Sequence, residues 1–207
     1  MKPDLTRDSA YFLQVQTQTA WGKVLQDFAE WCHPKSGWRA LDVGCGPGLL
    51  PALLGLQGIQ AIGVDLDPQA FAPKPLHPQL LTADVHALPF APAQFNLITA
   101  VNLLFLLPEP LAPLRELTRL LLPGGTLALL NPSERMSLTA ATALADARGL
   151  HGLARDSLLN WATRAETHFR WDESALRDLL TATGLRFERT DLRIGNGLAR
   201  LACGILP

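Results

Sequence analysis

Three carboxylates and three glycines are spaced in this chain as a small-ligand site requires. Asp42 is followed by Gly44, Gly46 and Gly48 at alternate positions, Asp65 comes about 20 residues after the first glycine, and Asp84 closes a further apolar run. Glycine serves where a backbone takes positive φ or lies against a ligand with no Cβ in the way, so three at alternate positions make a bare floor lined with amides. A helix starting beyond Gly48 aims unpaired N–H groups at that floor and favours an anionic group, phosphate or carboxylate. The offset to Asp65 is the one at which an acidic side chain reaches a ribose in nucleotide-binding βαβ units. An ionised Asp65 only accepts, and its two oxygens can take both ribose hydroxyl protons.

The elements that must hold these residues follow from the apolar pattern. Trp38–Val43 is a strand that runs through the glycine turn into a helix over Leu49–Leu56, where Pro51 occupies a first-turn position that tolerates it. Gly58 breaks the chain before a second strand, Ala61–Asp65, and strand, helix and strand make a βαβ unit. Pro68, Pro73, Pro75 and Pro78 exclude a long helix before strand three, Leu80–Ala83. Strand four is Phe95–Ala100, a helix covers Leu111–Leu121 with Pro113 in its first turn, and Pro123-Gly124-Gly125 turns into strand five, Thr126–Leu130.

Upstream, Trp21, Val24, Leu25, Phe28, Trp31 and Cys32 recur at helical spacing. They predict one helix from Asp8 onward, broken near Gly22, stopping at His33-Pro34 and packing over one edge of the fold. Residues 132–171 carry helical pieces at Leu138–Ala147 and Leu153–Ala162 without a strand signal, an insertion on the carboxyl-end side of the sheet where ligands bind. Asp172 caps a helix ending at Gly184, and Leu185–Leu192 and Leu198–Ile205 form a closing hairpin around Gly195-Asn196-Gly197.

Composition narrows the partners. The 207 residues fit one domain, and 48% hydrophobic content allows a sizeable core. A net charge of −1 disfavours nucleic acid or anionic lipid as the dominant partner. Cys32, Cys45 and Cys203 show no metal-type spacing, and their odd number suits free thiols in a reducing compartment. The polar start Met1-Lys2-Pro3-Asp4 and the lack of an apolar run of about 20 residues predict a soluble, cytoplasmic protein. Arg135, Arg148, Arg155, Arg164 and Arg170 stud the insertion and could grip a carboxylate or phosphate. The interleaved Glu134, Asp146, Asp156 and Glu166 favour a solvated mixed-charge face instead.

Asp42-Val43-Gly44-Cys45-Gly46-Pro47-Gly48 resembles the cofactor loop of class I S-adenosylmethionine-dependent methyltransferases. Asp65 matches that family's ribose acid, and Asp84, in Ala83-Asp84-Val85-His86-Ala87-Leu88-Pro89-Phe90, its acid near the adenine amino group. Phe95-Asn96-Leu97-Ile98 resembles its strand four, with Asn96 where an aspartate is usual, and Leu122-Pro123-Gly124-Gly125 the turn before its strand five. The likeness covers roughly residues 38–130 and 172–205 and is strongest toward small-molecule methyltransferases of the ubiquinone and menaquinone biosynthesis type.

The resemblance implies an α/β fold: a Rossmann-like, doubly wound, seven-stranded sheet with the last strand antiparallel, in three α/β/α layers with a helical lid insertion. It implies a single methyltransferase domain over 1–207, with an N-terminal helical cap at 1–37 and the lid at 132–171. The ligand would be S-adenosylmethionine, leaving as S-adenosylhomocysteine, and the partner a small-molecule methyl acceptor, with no nucleic acid and no membrane. Asp42, Gly44, Cys45, Gly46 and Ala100 would surround the methionine end, Asp65 and Leu66 the ribose and adenine face, Asp84 and Val85 the adenine edge, and Tyr11 would fold over from the N-terminal helix. Trp21 continues the apolar helix face and belongs to the core. No obligatory catalytic residue is expected for an electron-rich acceptor; for a hydroxyl acceptor, His86, His151 and His168 are the available bases. Two alternatives stay open: a non-catalytic S-adenosylmethionine-binding protein with a protein partner, and an NAD-dependent oxidoreductase. Leu49 stands against the second, because it occupies the third glycine position of the dinucleotide fingerprint. Asn131-Pro132-Ser133 resembles the Asn-Pro-Pro-Tyr motif of amino-methylating DNA enzymes, but it follows strand five and lacks the aromatic.

Overall fold

The computed structural model describes residues 9–71, 76 and 79–207, so the polar start and Pro73, Pro75 and Pro78 lie outside it. Its strands are β1 (Arg39–Val43), β2 (Gln60–Asp65), β3 (Leu80–Thr82), β4 (Phe95–Val101), β5 (Leu121–Pro132), β6 (Arg186–Arg193) and β7 (Ala199–Ile205). They form one seven-stranded sheet of order β3-β2-β1-β4-β5-β7-β6. Pairings from β3 through β5 are parallel, while β7 runs antiparallel to both β5 and β6. The order reverses between β1 and β4, which opens a crevice at their carboxyl ends.

The helices are α1 (Ser9–Gln18), α2 (Trp21–Trp31), α3 (Leu49–Leu56), α4 (Leu111–Leu120), α5 (Leu138–Ala147), α6 (Gly152–Thr167) and α7 (Glu173–Ala182). Alternation along the strands gives each face its own core. On one face Leu41, Ile98, Leu127 and Leu129 pack with Leu114, Leu117 and Leu120 of α4 and Leu176 and Leu180 of α7. On the other, Ala40, Leu97, Ala128 and Leu201 pack with Phe28 and Ala29 of α2 and Leu50 and Leu54 of α3. A third cluster, Met136, Ala141, Ala162, Ala165 and Leu198, ties α5 and α6 to the sheet.

Two expectations need correction. The N-terminal helix is not confined to an edge: α2 packs on one face, in a cluster with residues of β1, β4, β5 and β7, and meets the edge strand β6 at Trp31, whose Nε1–H donates to Asp191 at 3.0 Å. The break falls between α1 and α2, just before Gly22, where a Cβ would stand 2.4 Å from the Gln16 carbonyl oxygen. Only glycine permits so tight a corner. The second concerns β5, which starts at Leu121 rather than Thr126 because Leu121 already pairs with Phe95 before a register shift. Gly125 fits that irregularity, since a Cβ there would meet the Leu122 carbonyl oxygen at 2.7 Å.

The departure at Asn96 has a structural use, as its Oδ1 accepts from the Arg39 N–H at 3.0 Å and fastens the starts of β1 and β4. Asp172 caps α7 by accepting from the Ala175 N–H at 2.8 Å. Asp172→Ala is expected to cost about 1 kcal/mol in urea unfolding and to leave ligand binding unchanged.

Candidate functional site

At the end of β1 the chain turns sharply, and Gly44, Gly46 and Gly48 take φ of +74°, +52° and +89°. All three are left-handed, a region that disfavours a Cβ. The Gly44 and Cys45 N–H groups donate to the Val64 carbonyl at 2.8 and 3.0 Å, which clamps the turn onto β2. A Cβ on Gly44 would come within 3.4 Å of Leu103, and one on Gly46 within 3.8 Å of the Gln16 side chain. Cys45 turns its sulfur inward, beside Gly63, where burial pushes the thiol pKa up and keeps it neutral.

Asp65 ends β2 against this turn. Its Oδ2 accepts from the Gly46 N–H at 2.9 Å and its Oδ1 from the Asp67 N–H at 3.1 Å. Each oxygen keeps a further lone pair for a ligand hydroxyl. Burial raises its pKa above the usual carboxylate value, and the two N–H groups oppose that rise. Asp42 lies deeper, 3% exposed, accepting from the Thr99 hydroxyl at 2.8 Å. Burial raises its pKa to about 7; the Thr99 bond opposes this and the Asp65 charge adds to it.

That shift has a sign. The folded state holds the Asp42 proton up to about pH 7, whereas an unfolded aspartate loses it near 3.8. Stability from this group is present in full below the unfolded value and is lost as pH rises through about 7. Asp42→Asn should remove about 3 kcal/mol of the decline in unfolding free energy between about pH 4.5 and about pH 7.5. Urea titrations of both proteins at the two pH values check this.

Beyond β3, Asp84 stands half-exposed, accepting from the His86 backbone N–H at 2.9 Å with the His86 Nδ1 at 2.8 Å. The backbone bond first, then the ring, holds its pKa below the usual value. The segment is pinned from α4, where Glu116 accepts from the Leu88 N–H at 2.9 Å and Arg119 donates to the Phe90 carbonyl at 3.0 Å. Leu66 is 68% exposed and offers an apolar face beside Asp65.

One cavity of about 940 Å³ brings together Tyr11, Asp42, Gly44, Cys45, Gly46, Asp65, Leu66, Asp84 and Val85. Ala100 is not among its lining residues: it is fully buried in the core, and Val101 and Asn102, at the end of β4, line the cavity instead. Tyr11 links α1 to α6 across the cavity, its hydroxyl accepting from Asn160 at 3.4 Å. Trp21 both packs on the core and lines the cavity, edge-on to Trp161. Of the three histidines only His86 lines it; His151 and His168 sit near the Gly149 and Arg164 carbonyls. Arg148 and Arg164 line it, whereas Arg155 pairs with Asp146, and Arg135 and Arg170 donate to the Asn196 and Met136 carbonyls.

Sequence reasoning missed two side chains here. Gln16 and Asn102 line the cavity, and the Oε1 of one and Oδ1 of the other are buried without a hydrogen-bond partner among the described residues. A buried acceptor left unpaired costs about 1–3 kcal/mol, so both oxygens call for a donor from a ligand. Asn102 carried a faint signal, an asparagine just after a strand, and it takes the left-handed φ of +54° that asparagine tolerates. The bare floor, the carboxylates and the orphaned acceptors fit a ligand with vicinal hydroxyls, an apolar ring and a cationic arm.

The family profile described as "Methyltransferase domain" matches residues 41–129. The chain is 32% identical over 190 residues to the ubiquinone biosynthesis O-methyltransferase of Xanthomonas campestris pv. campestris (strain B100), covering 83% of this chain and 77% of that protein. The protein of the same name from Aeromonas salmonicida is 31% identical over 109 residues, a match spanning 46% of this chain and 45% of that one. Among solved structures, magnesium protoporphyrin IX methyltransferase from Synechocystis PCC 6803 with bound S-adenosylhomocysteine superposes with a TM-score of 0.66 at 18% identity, covering 95% of this chain and 88% of the other. A SAM-dependent methyltransferase from Aquifex aeolicus gives 0.63 at 18% identity, with 94% and 93% covered.

Proposed function

This chain belongs to the class I S-adenosylmethionine-dependent methyltransferases, and on that footing we propose that it moves a methyl group from S-adenosylmethionine to a small-molecule acceptor. The observation that carries the reading is the convergence of the glycine turn, Asp65, Leu66 and Asp84 on one cavity at the β1/β4 crevice. Residues 1–37 are assigned as a cap and 132–171 as a lid on a single domain, supported by the places of α1 and α6 along the cavity wall.

The residues divide the work. Asp65 takes the ribose hydroxyls, Leu66 offers a face to adenine, and Asp84 and the Val85 N–H meet the adenine edge. The turn at Gly44, Cys45 and Gly46 receives the methionine end, where the α3 N-terminus favours its carboxylate. Gln16 Oε1 and Asn102 Oδ1 supply acceptors for its ammonium, and that positive charge favours ionisation of Asp42, whose proton the folded chain alone holds up to about pH 7. Tyr11 and its bond to Asn160 keep water from the arm. When bound, the sulfonium supplies an activated methyl group. The chain's contribution to in-line transfer is alignment and desolvation of the acceptor against that methyl. His86 is held by Asp84, which this reading places at the adenine edge rather than beside the methyl group.

The test is an acceptor screen read by mass spectrometry, with phenols, carboxylic acids, amines and thiols offered together with S-adenosylmethionine. Gain of one methyl group on any of them, with stoichiometric S-adenosylhomocysteine, supports the proposal. Cofactor binding without transfer to any compound, together with a stoichiometric protein partner, would instead identify a non-catalytic binding protein.

A further inference from the structure

The cavity is polarised, and we infer that the methyl acceptor is an apolar molecule carrying an anionic group, a carboxylate, sulfate or phosphate, held by Arg148 and the Trp161 indole N–H. This rests on the methyltransferase reading and adds the chemical class of the acceptor to it.

Every acidic residue of the cavity wall comes from the α2 side or the strand ends: Asp42, Asp65, Asp67 and Asp84, with Asp27 paired to Lys23 of the same helix. The unpaired acceptors Gln16 Oε1 and Asn102 Oδ1 belong to α1 and the end of β4. That half suits a ligand with a cationic arm. The insertion contributes the opposite chemistry. Ala154, Ser157, Leu158, Trp161 and Arg164 line the cavity from one face of α6, as their spacing of three to four residues requires.

No carboxylate of the insertion faces in. Asp146 is taken by Arg155, Glu166 accepts from the Leu138 N–H, and neither they nor Asp156 line the cavity. Arg148, at the C-terminal cap of α5, lines the cavity and makes no ion pair among the described residues. The Trp161 Nε1–H is buried in the same wall with no acceptor among the described residues. Leu144, Leu150 and Leu158 add apolar surface to the same cavity wall. A buried donor needs an acceptor, and a guanidinium at an apolar mouth pairs best with an anion.

The test begins by saturating the protein with S-adenosylhomocysteine, whose binding is measured first and reports on the methyltransferase reading alone. Into the loaded protein are titrated two matched pairs, 1-naphthoate with 1-naphthamide and decanoate with decanamide. At least one acid is expected to bind about ten- to a hundredfold more tightly than its neutral amide. Arg148→Gln and Trp161→Phe should each reduce that preference while leaving S-adenosylhomocysteine affinity unchanged. Equal affinity for acid and amide, no binding of either acid, or an unchanged preference in both variants would overturn the inference, even with S-adenosylhomocysteine bound normally.

Discussion

Asp65→Ala is expected to lower S-adenosylmethionine affinity by about 100-fold or more, the largest loss for any single carboxylate of the site. The two charge-assisted hydrogen bonds proposed to ribose would disappear, each worth about 1.5–3 kcal/mol. The Gly46 and Asp67 N–H groups also lose the oxygens that position them. Unfolding does not explain such a loss. Burial raises the Asp65 pKa, so holding this group ionised opposes folding once pH exceeds its folded value. Calorimetric titration at neutral pH, with thermal unfolding of the apo protein as a control, separates the two effects.

Gly44→Val is expected to abolish cofactor binding and to destabilise the fold. Its φ of +74° strains a β-branched residue by about 1–3 kcal/mol, and the new Cβ presses on Leu103 at 3.4 Å. The side chain also covers the floor proposed to receive the methionine end. Gly37 provides the control: its φ is +85°, yet nothing stands within 4 Å of its would-be Cβ. Gly37→Val should share the backbone strain and keep wild-type affinity. Equal loss of affinity in both variants would show that the glycine turn acts only through stability.

Most strands were legible because glycine, proline or a terminal carboxylate bounds them; β4 runs into Asn102 instead, and Pro123-Gly124-Gly125 lies inside β5, which hid its true start. The helix over Leu49–Leu56 and the one over Leu138–Ala147 fall where the apolar pattern put them, and Gly48 and Ser137 occupy their N-cap positions. That the glycine turn, Asp65 and Asp84 meet at one cavity was legible, Asp65 from its spacing and Asp84 from the family resemblance, since a strand end and a turn fix where their backbones go. Side chains whose roles depend on tertiary neighbours were not. Gln16 shares one face of α1 with Phe12, Val15 and Thr19, and only the docking of α1 at the cavity buries its oxygen. Ala100 turns into the core, while Val101, the last residue of β4, and Asn102 just beyond it reach the cavity. The arginines of the insertion looked alike in sequence, yet Asp146 selects Arg155 and leaves Arg148 at the cavity.

The central claim is that the crevice between β1 and β4 holds S-adenosylmethionine through the glycine turn and Asp65. Calorimetric titration of S-adenosylmethionine, S-adenosylhomocysteine and NADH into wild type and Asp65→Ala tests it most directly. The account predicts one-to-one binding of the first two to wild type, severe weakening of both in the variant, and no binding of NADH. Binding of NADH alone, or S-adenosylmethionine affinity unchanged in Asp65→Ala, would contradict it.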